Sequence, residues 1–275
     1  MSNYRNTQLD VIKPHRSGLM TGLEIQRNVI GALIYRELMT RLSQSSYGII
    51  GIFMQPLGVL ITFVIIFSLL RVNQQSSIDT NLSLSIGIIL FTMVKEIAMR
   101  SLRSMQQNEA VFIYRPVRPA DTIIARALVE SGLFGALYIL VVAFIMLLKE
   151  EWMIENIPLV VSVYIALATT AFGISLSLMV AGHRYQLVGK IFPILVRPMF
   201  IASGVLFPLA SIPQPLRPWI TWNPILQAVE ISRHAFTSNY PLDEAISLPY
   251  LLMFTGLSCA VGFVVYTNNE HHLMR

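Results

Sequence analysis

Long apolar runs separated by short polar segments organise this chain. A helix needs about 20 apolar residues to cross roughly 30 Å of hydrocarbon. Six stretches meet that pattern, at about 47–70, 82–99, 126–148, 158–181, 192–212 and 248–266. The first is uncharged, sits between Arg41 and Arg71, and holds Pro56, where the helix should bend. The second is interrupted by Lys95 and Glu96 and reaches spanning length only if the helix runs on to Met99. Asp121 reads as the N-cap of the third helix, which therefore starts before its apolar core at 128–148. The fourth is rich in small residues (Ala166, Ala168, Ala171, Gly173, Ser175 and Ser177), which let helix backbones approach closely. The fifth has its apolar core at 192–209 and carries Arg197 in the middle.

Two further segments are amphipathic rather than spanning. Before the first run, Val29, Ile30, Leu33, Ile34, Leu38 and Leu42 recur at helical spacing, with Arg27, Arg36, Glu37 and Arg41 mostly off that stripe. This reads as a helix lying in the membrane interface. Residues 216–236 are too polar to cross and too apolar for a free loop, and Pro218 and Pro224 divide them into short pieces. They are expected to dip part-way into the membrane.

Composition agrees with a membrane class. Hydrophobic residues make up 54% and charged residues 13% of the 275 positions, about half the charge of a soluble domain. The mean hydropathy is +0.61. The net charge of +5 would suggest nucleic acid in a soluble protein; here its placement matters more than its sum, and no nucleic-acid partner is expected. With the N-terminus inside, 14 of the 20 Lys and Arg fall on inside segments and four outside, while Lys95 and Arg197 lie within spans. That split puts both termini in the cytoplasm. No apolar run follows the polar first 18 residues, so no cleavable signal is expected. The lone Cys259, inside an apolar run, reads as a packing residue.

A search for reactive groups finds little. The nearest approach to a phosphate-binding loop, around Gly189-Lys190, has Arg184 where the first glycine belongs and Ile191 where Ser or Thr belongs. Adjacent His271 and His272 have poor geometry for two ligands on one helix face. No catalytic, cofactor-binding or metal residue is assigned. Charges within spans are the better leads, because they are costly in lipid. Arg197 either faces a hydrophilic path for an anionic substrate or pairs with a carboxylate. Glu96 and Arg100 stand at i,i+4 in the favourable order and read as a helix pair, leaving Lys95 over. Arg126 and Glu130 have the same spacing and read as a pair at the boundary. Trp219, Trp222 and Tyr240 read as an interfacial aromatic belt or as sugar-stacking rings.

The polar link between the second and third runs is unusual. Residues 100–114 have helical character, "RPVRP" then stiffens the chain, and a helix restarts at Asp121. A short helix held stiffly below two spans would work as a lever. A basic turn that merely fixes topology and touches anionic lipid is the alternative.

The runs "NEAVFIYRPVRPADTIIARALVES", "PILVRPMFIASGVLFPLASIP" and "WNPILQAVEISRHAF", in that order, resemble the ABC-2 type permeases of capsular polysaccharide export. The resemblance covers about residue 22 to the end. It implies an all-α integral membrane fold: a cytoplasmic N-terminus with an interface helix (1–46), six transmembrane helices (47–266) with a re-entrant periplasmic segment before the last, and a short tail (267–275). It further implies a homodimer in the inner membrane of a Gram-negative bacterium, paired with two copies of a separate ATPase that binds the ATP. Lipid-linked, acidic polysaccharide would be the substrate, and periplasmic and outer-membrane proteins would complete the route. The ATPase-coupling helix and its connector would comprise Met105, Gln106, Gln107, Asn108, Glu109, Phe112, Tyr114, Arg115 and Arg118. Lys95, Arg100, Arg197, Trp219 and Trp222 are candidates for the substrate path. The chain departs from the family pattern at Lys95-Glu96, where small uncharged residues are expected. An O-antigen or teichoic-acid exporter of the same superfamily, and an autonomous secondary transporter, are the alternative functions.

Overall fold

The computed structural model describes residues 18–43, 48–69, 78–108, 112 and 117–273. Among these every regular element is helical: α1 (Gly18–Ser43), α2 (Ile49–Leu69), α3 (Thr80–Ser101), α4 (Ser104–Asn108), α5 (Pro119–Lys149), α6 (Ile157–Arg184), α7 (Gln186–Ala202), α8 (Arg217–Ile220), α9 (Pro224–Phe236) and α10 (Leu248–Leu273). Five of them, α2, α3, α5, α6 and α10, are long and apolar enough to cross a membrane.

The segment with the weakest hydrophobic signal lies at the centre. Every residue from 82 to 94 in α3 is buried, and α3 packs against α2, α5, α6, α7 and α9. Three of its hydroxyls are satisfied within the helix. Ser85, Thr92 and Ser101 donate to the carbonyls of Asn81, Ile88 and Ile97 at 2.6–2.7 Å. The helix is capped by Asp79, which accepts from the amides of Asn81 and Leu82 and pairs with Lys149 at 2.9 Å.

The small residues of α6 act as expected. A Cβ on Gly173 would lie 2.6 Å from the backbone of α10 at Cys259, so only glycine allows this approach. Pro56 is accommodated inside a continuous α2.

Three boundaries differ from the sequence expectation. The third long helix begins at Pro119, and Asp121 sits in its first turn, accepting from the amide of Arg118 at 3.0 Å rather than capping from outside. The fifth run is not one helix to 212. α7 starts earlier, at Gln186, and stops at Ala202, because Gly204 takes a φ of 64° and the chain continues in short 3-10 turns at Leu209–Ser211 and Gln214–Leu216. The last helix runs on through Tyr266 to Leu273, absorbing most of the predicted tail.

Candidate functional site

At one end of the bundle the chain turns from α3 into α4. Gly182 of α6 sets the position: a Cβ there would lie 2.5 Å from the carbonyl oxygen of Leu102. Met105 is buried in a small apolar cluster with Ala120, Ile123, Met179, Tyr266 and Leu273, and Phe112 leans on it. Asn108 is buried too, donating to the Ser104 carbonyl at 2.8 Å. Gln106, Gln107 and Arg118 are exposed. The predicted lever is thus a short helix anchored on one face and open on the other. Glu109, Tyr114 and Arg115 lie outside the described residues.

Beside α4 the structure gathers charges from three helices. Arg126 of α5 bonds Glu37 of α1 at 3.0 Å, and also reaches the Arg100 carbonyl and the Gln107 side chain. Arg41 of α1 makes a two-pronged contact with Glu130, at 2.8 and 2.5 Å. Arg36 donates to Asn108 of α4. Arg126 and Glu130 therefore do not pair with each other: each is claimed by the neighbouring helix, whose long side chains reach both. Glu96 and Arg100 approach at 3.6 Å, as their spacing predicts, while Arg100 also faces Glu130 at 3.2 Å. Lys95 is not left over, since its ammonium lies 3.0 Å from Glu96. A cavity of about 500 Å³ opens within this cluster.

The candidate path residues separate into three places. Lys95 and Arg197 line one cavity of about 330 Å³ between α2, α3 and α7, with Phe63, Phe91 and Phe200 around them. Arg197 is exposed and has no ion-pair partner among the described residues. Arg100 lies instead in the charge cluster under α1. Trp219 and Trp222 are 83% and 75% exposed at the opposite end. Tyr240 does not belong with them. It is buried, and its hydroxyl donates to Glu230 at 2.9 Å; burial, reinforced by that carboxylate, pushes the phenol well above its ordinary range, so it stays a donor.

The pattern of the ABC-2 type transporter family matches residues 28–237. The chain belongs to this family. It is 34% identical over 254 residues to the polysialic acid transport protein KpsM of Escherichia coli, covering 92% of this chain and 98% of KpsM. It is 26% identical to the capsule polysaccharide export inner-membrane protein CtrC of Neisseria meningitidis serogroup B, covering 81% of this chain and 84% of CtrC. It is 25% identical to the capsule polysaccharide export inner-membrane protein BexB of Haemophilus influenzae, covering 78% of this chain and 81% of BexB. The resemblance carried by the 108–131 run and the two downstream motifs is borne out.

Within this ABC-2 chain, two sets of polar residues had no clear sequence signature. The first is the α1 set. Glu37 belongs to the charged set read as mostly off the apolar stripe of α1, yet it is buried, one turn beyond Leu33 on the same face. The second holds α9 in place. Arg233 and Glu230 are fully buried as an i,i+3 pair at 2.8 Å; Arg233 also bonds the carbonyls of Ser83 and Val205, and Glu230 accepts from the Leu209 amide. The ABC-2 motif "WNP" has a clear local role. Asn223 caps α9 by accepting from the Ile225 amide, Pro224 takes the first helical position, and the Asn223 amide group donates to Ser203 at 2.8 Å just past the end of α7. Glu155, in the turn before α6, accepts from the Ser238 amide at 2.8 Å, and the Ser238 side chain together with that amide holds its carboxyl below the usual range.

Proposed function

We propose that this chain is the membrane subunit of an ATP-driven exporter that carries a lipid-linked, acidic capsular polysaccharide across the inner membrane. The observation that carries this reading is the near end-to-end similarity to KpsM, supported by CtrC and BexB, both named for capsule polysaccharide export. ATP is bound and hydrolysed by a separate ATPase present in two copies, which engages the open face of α4. Two copies of the permease meet through α2 and α7; α7 buries none of its residues in the monomer, and α2 leaves Ile50, Met54, Ile61 and Ile65 exposed. In this arrangement α7 and the turns after it complete a sixth crossing. α1 lies at the cytoplasmic interface, α8 and α9 form a re-entrant periplasmic segment, and both termini are cytoplasmic. Periplasmic and outer-membrane export proteins receive the polymer.

The cavity shared by Lys95 and Arg197 favours an anionic cargo. Two cations beside aromatic rings, one of them without a carboxylate, suit passing carboxylates or phosphates and cost too much in lipid to be incidental. Arg197→Glu reverses the unpaired charge without breaking an ion pair. Surface capsule should fall to near background by immunoblot while the protein still reaches the membrane and binds its ATPase. Normal capsule in that variant would remove Arg197 from the path.

A further inference from the structure

The charge cluster beneath α1 is unbalanced. Glu37 is held by Arg126, Glu96 by Lys95 and Arg100, and Glu130 by Arg41 and Arg100. Those three carboxylates are already shared by four cations. Arg36 and Arg103 bring the cations to six, and neither reaches a carboxylate: Arg36 has the neutral Asn108, and the exposed Arg103 side chain has no partner among the described residues. The buried Nε–H of Arg100 lies 3.2 Å from Glu130 but is not aligned for a hydrogen bond to it. All three arginines line the same cavity of about 500 Å³, with Thr40 and Gln107 as polar walls and with Glu37 and Glu96, each neutralised by its ion pair, also on the lining. The spare guanidinium donors of Arg36 and Arg103, converging on one half-enclosed space with a surplus of positive charge, call for a compact multivalent anion. Guanidinium forks match tetrahedral phosphate oxygens in pairs, which a single carboxylate cannot satisfy to the same extent.

We propose that this cavity is a phosphate site, binding the phosphate of an anionic lipid headgroup or a soluble phosphate ester through Arg36, Arg100 and Arg103. It is separate from the Lys95–Arg197 cavity and does not depend on the export reading. Arg103, in the turn just before α4, and Arg36 of α1 close the site, so an occupant ties that turn and α1 to α3. The exposed apolar residues of α1, Tyr35 and Met39, place lipid chains within reach of the same rim.

The test uses the purified full chain after delipidation, with native mass spectrometry as the readout. The probes are phosphatidylglycerol, diacylglycerol as its phosphate-free counterpart, and inorganic phosphate. Phosphatidylglycerol should be retained over diacylglycerol, and Arg36→Gln/Arg103→Gln should weaken that retention about tenfold or more, the loss of one or two charge-assisted bonds. Neither arginine has a carboxylate partner, so helical content should stay at the parent level; Arg103→Gln alone provides the second variant if the double one is unstable. Lys190→Gln, an exposed cation outside the cavity, should change nothing. If inorganic phosphate binds with the same arginine dependence and displaces the lipid, the site stands and its occupant is a soluble phosphate. Equal retention of phosphatidylglycerol and diacylglycerol would overturn the proposal, as would unchanged binding in both arginine variants or an equal loss in Lys190→Gln.

Discussion

Single residues on this chain are best understood by asking what would be left behind on removing them. Glu37 and Arg126 are both buried and face each other at 3.0 Å. Deleting only the acid strands a guanidinium, and breaking a buried pair typically costs about 3–5 kcal/mol. Glu37→Ala should therefore lower thermal stability in detergent by several degrees. Glu37→Leu combined with Arg126→Met should recover much of that loss, because neither member of the pair then leaves an unpaired buried charge behind. A double variant as unstable as Glu37→Ala would mean that the contact of Arg126 with Gln107 and the Arg100 carbonyl matters more than the ion pair. The helical repeat placed Leu33 on the packed face, but it could not show that Glu37 would follow it there. Amphipathic patterning assigns charges to solvent by default, and only a partner on another helix reverses that assignment.

Among the elements, α4 shows how a five-residue helix is made stiff. Its own hydrogen bonds cannot hold it; Met105 in the apolar cluster, Asn108, and the tight seat of Leu102 on Gly182 do. Gly182→Ala inserts a methyl group against backbone rather than a movable side chain, a misfit worth about 1–3 kcal/mol. A cysteine replacing exposed Gln107 should crosslink to the ATPase, and adding Gly182→Ala should cut that crosslink several-fold at equal membrane levels. An undiminished crosslink would mean that α4 is positioned without its seat on α6. The short helix was legible from the helical character of the run before "RPVRP", a link that lies largely outside the described residues, and the helix restart falls two residues before the expected Asp121. The seat was not legible, since Gly182 lies far along the chain and looks locally like any helix-end glycine.

For the whole molecule, burial is distributed unevenly. α3 is enclosed on all sides, while α2 and α10 are mostly exposed and α7 buries nothing. In a bilayer, lipid covers α10 as readily as a second copy would, but α2 and α7 flank the cavity that holds Lys95 and Arg197. Cations there need an enclosed, hydrated surround rather than acyl chains, which favours a second copy over lipid at that face. In a Cys259→Ser background, a cysteine at exposed Ile194 of α7 should form a disulfide-linked dimer on oxidation, and one at exposed Ile139 of α5 should not. Dimers from Ile139 and none from Ile194 would move the interface elsewhere. Hydrophobic run length by itself determined the membrane class and the five long helices, because each depends on residues close together in the chain. Tertiary structure alone decided that the most interrupted run becomes the central helix, that Arg126 and Glu130 turn away from each other to α1, and that Lys95 and Arg197 share a cavity. Those outcomes depend on which distant side chain reaches a charge first, and Coulomb attraction in a poorly screened interior rewards that proximity whatever the separation along the chain.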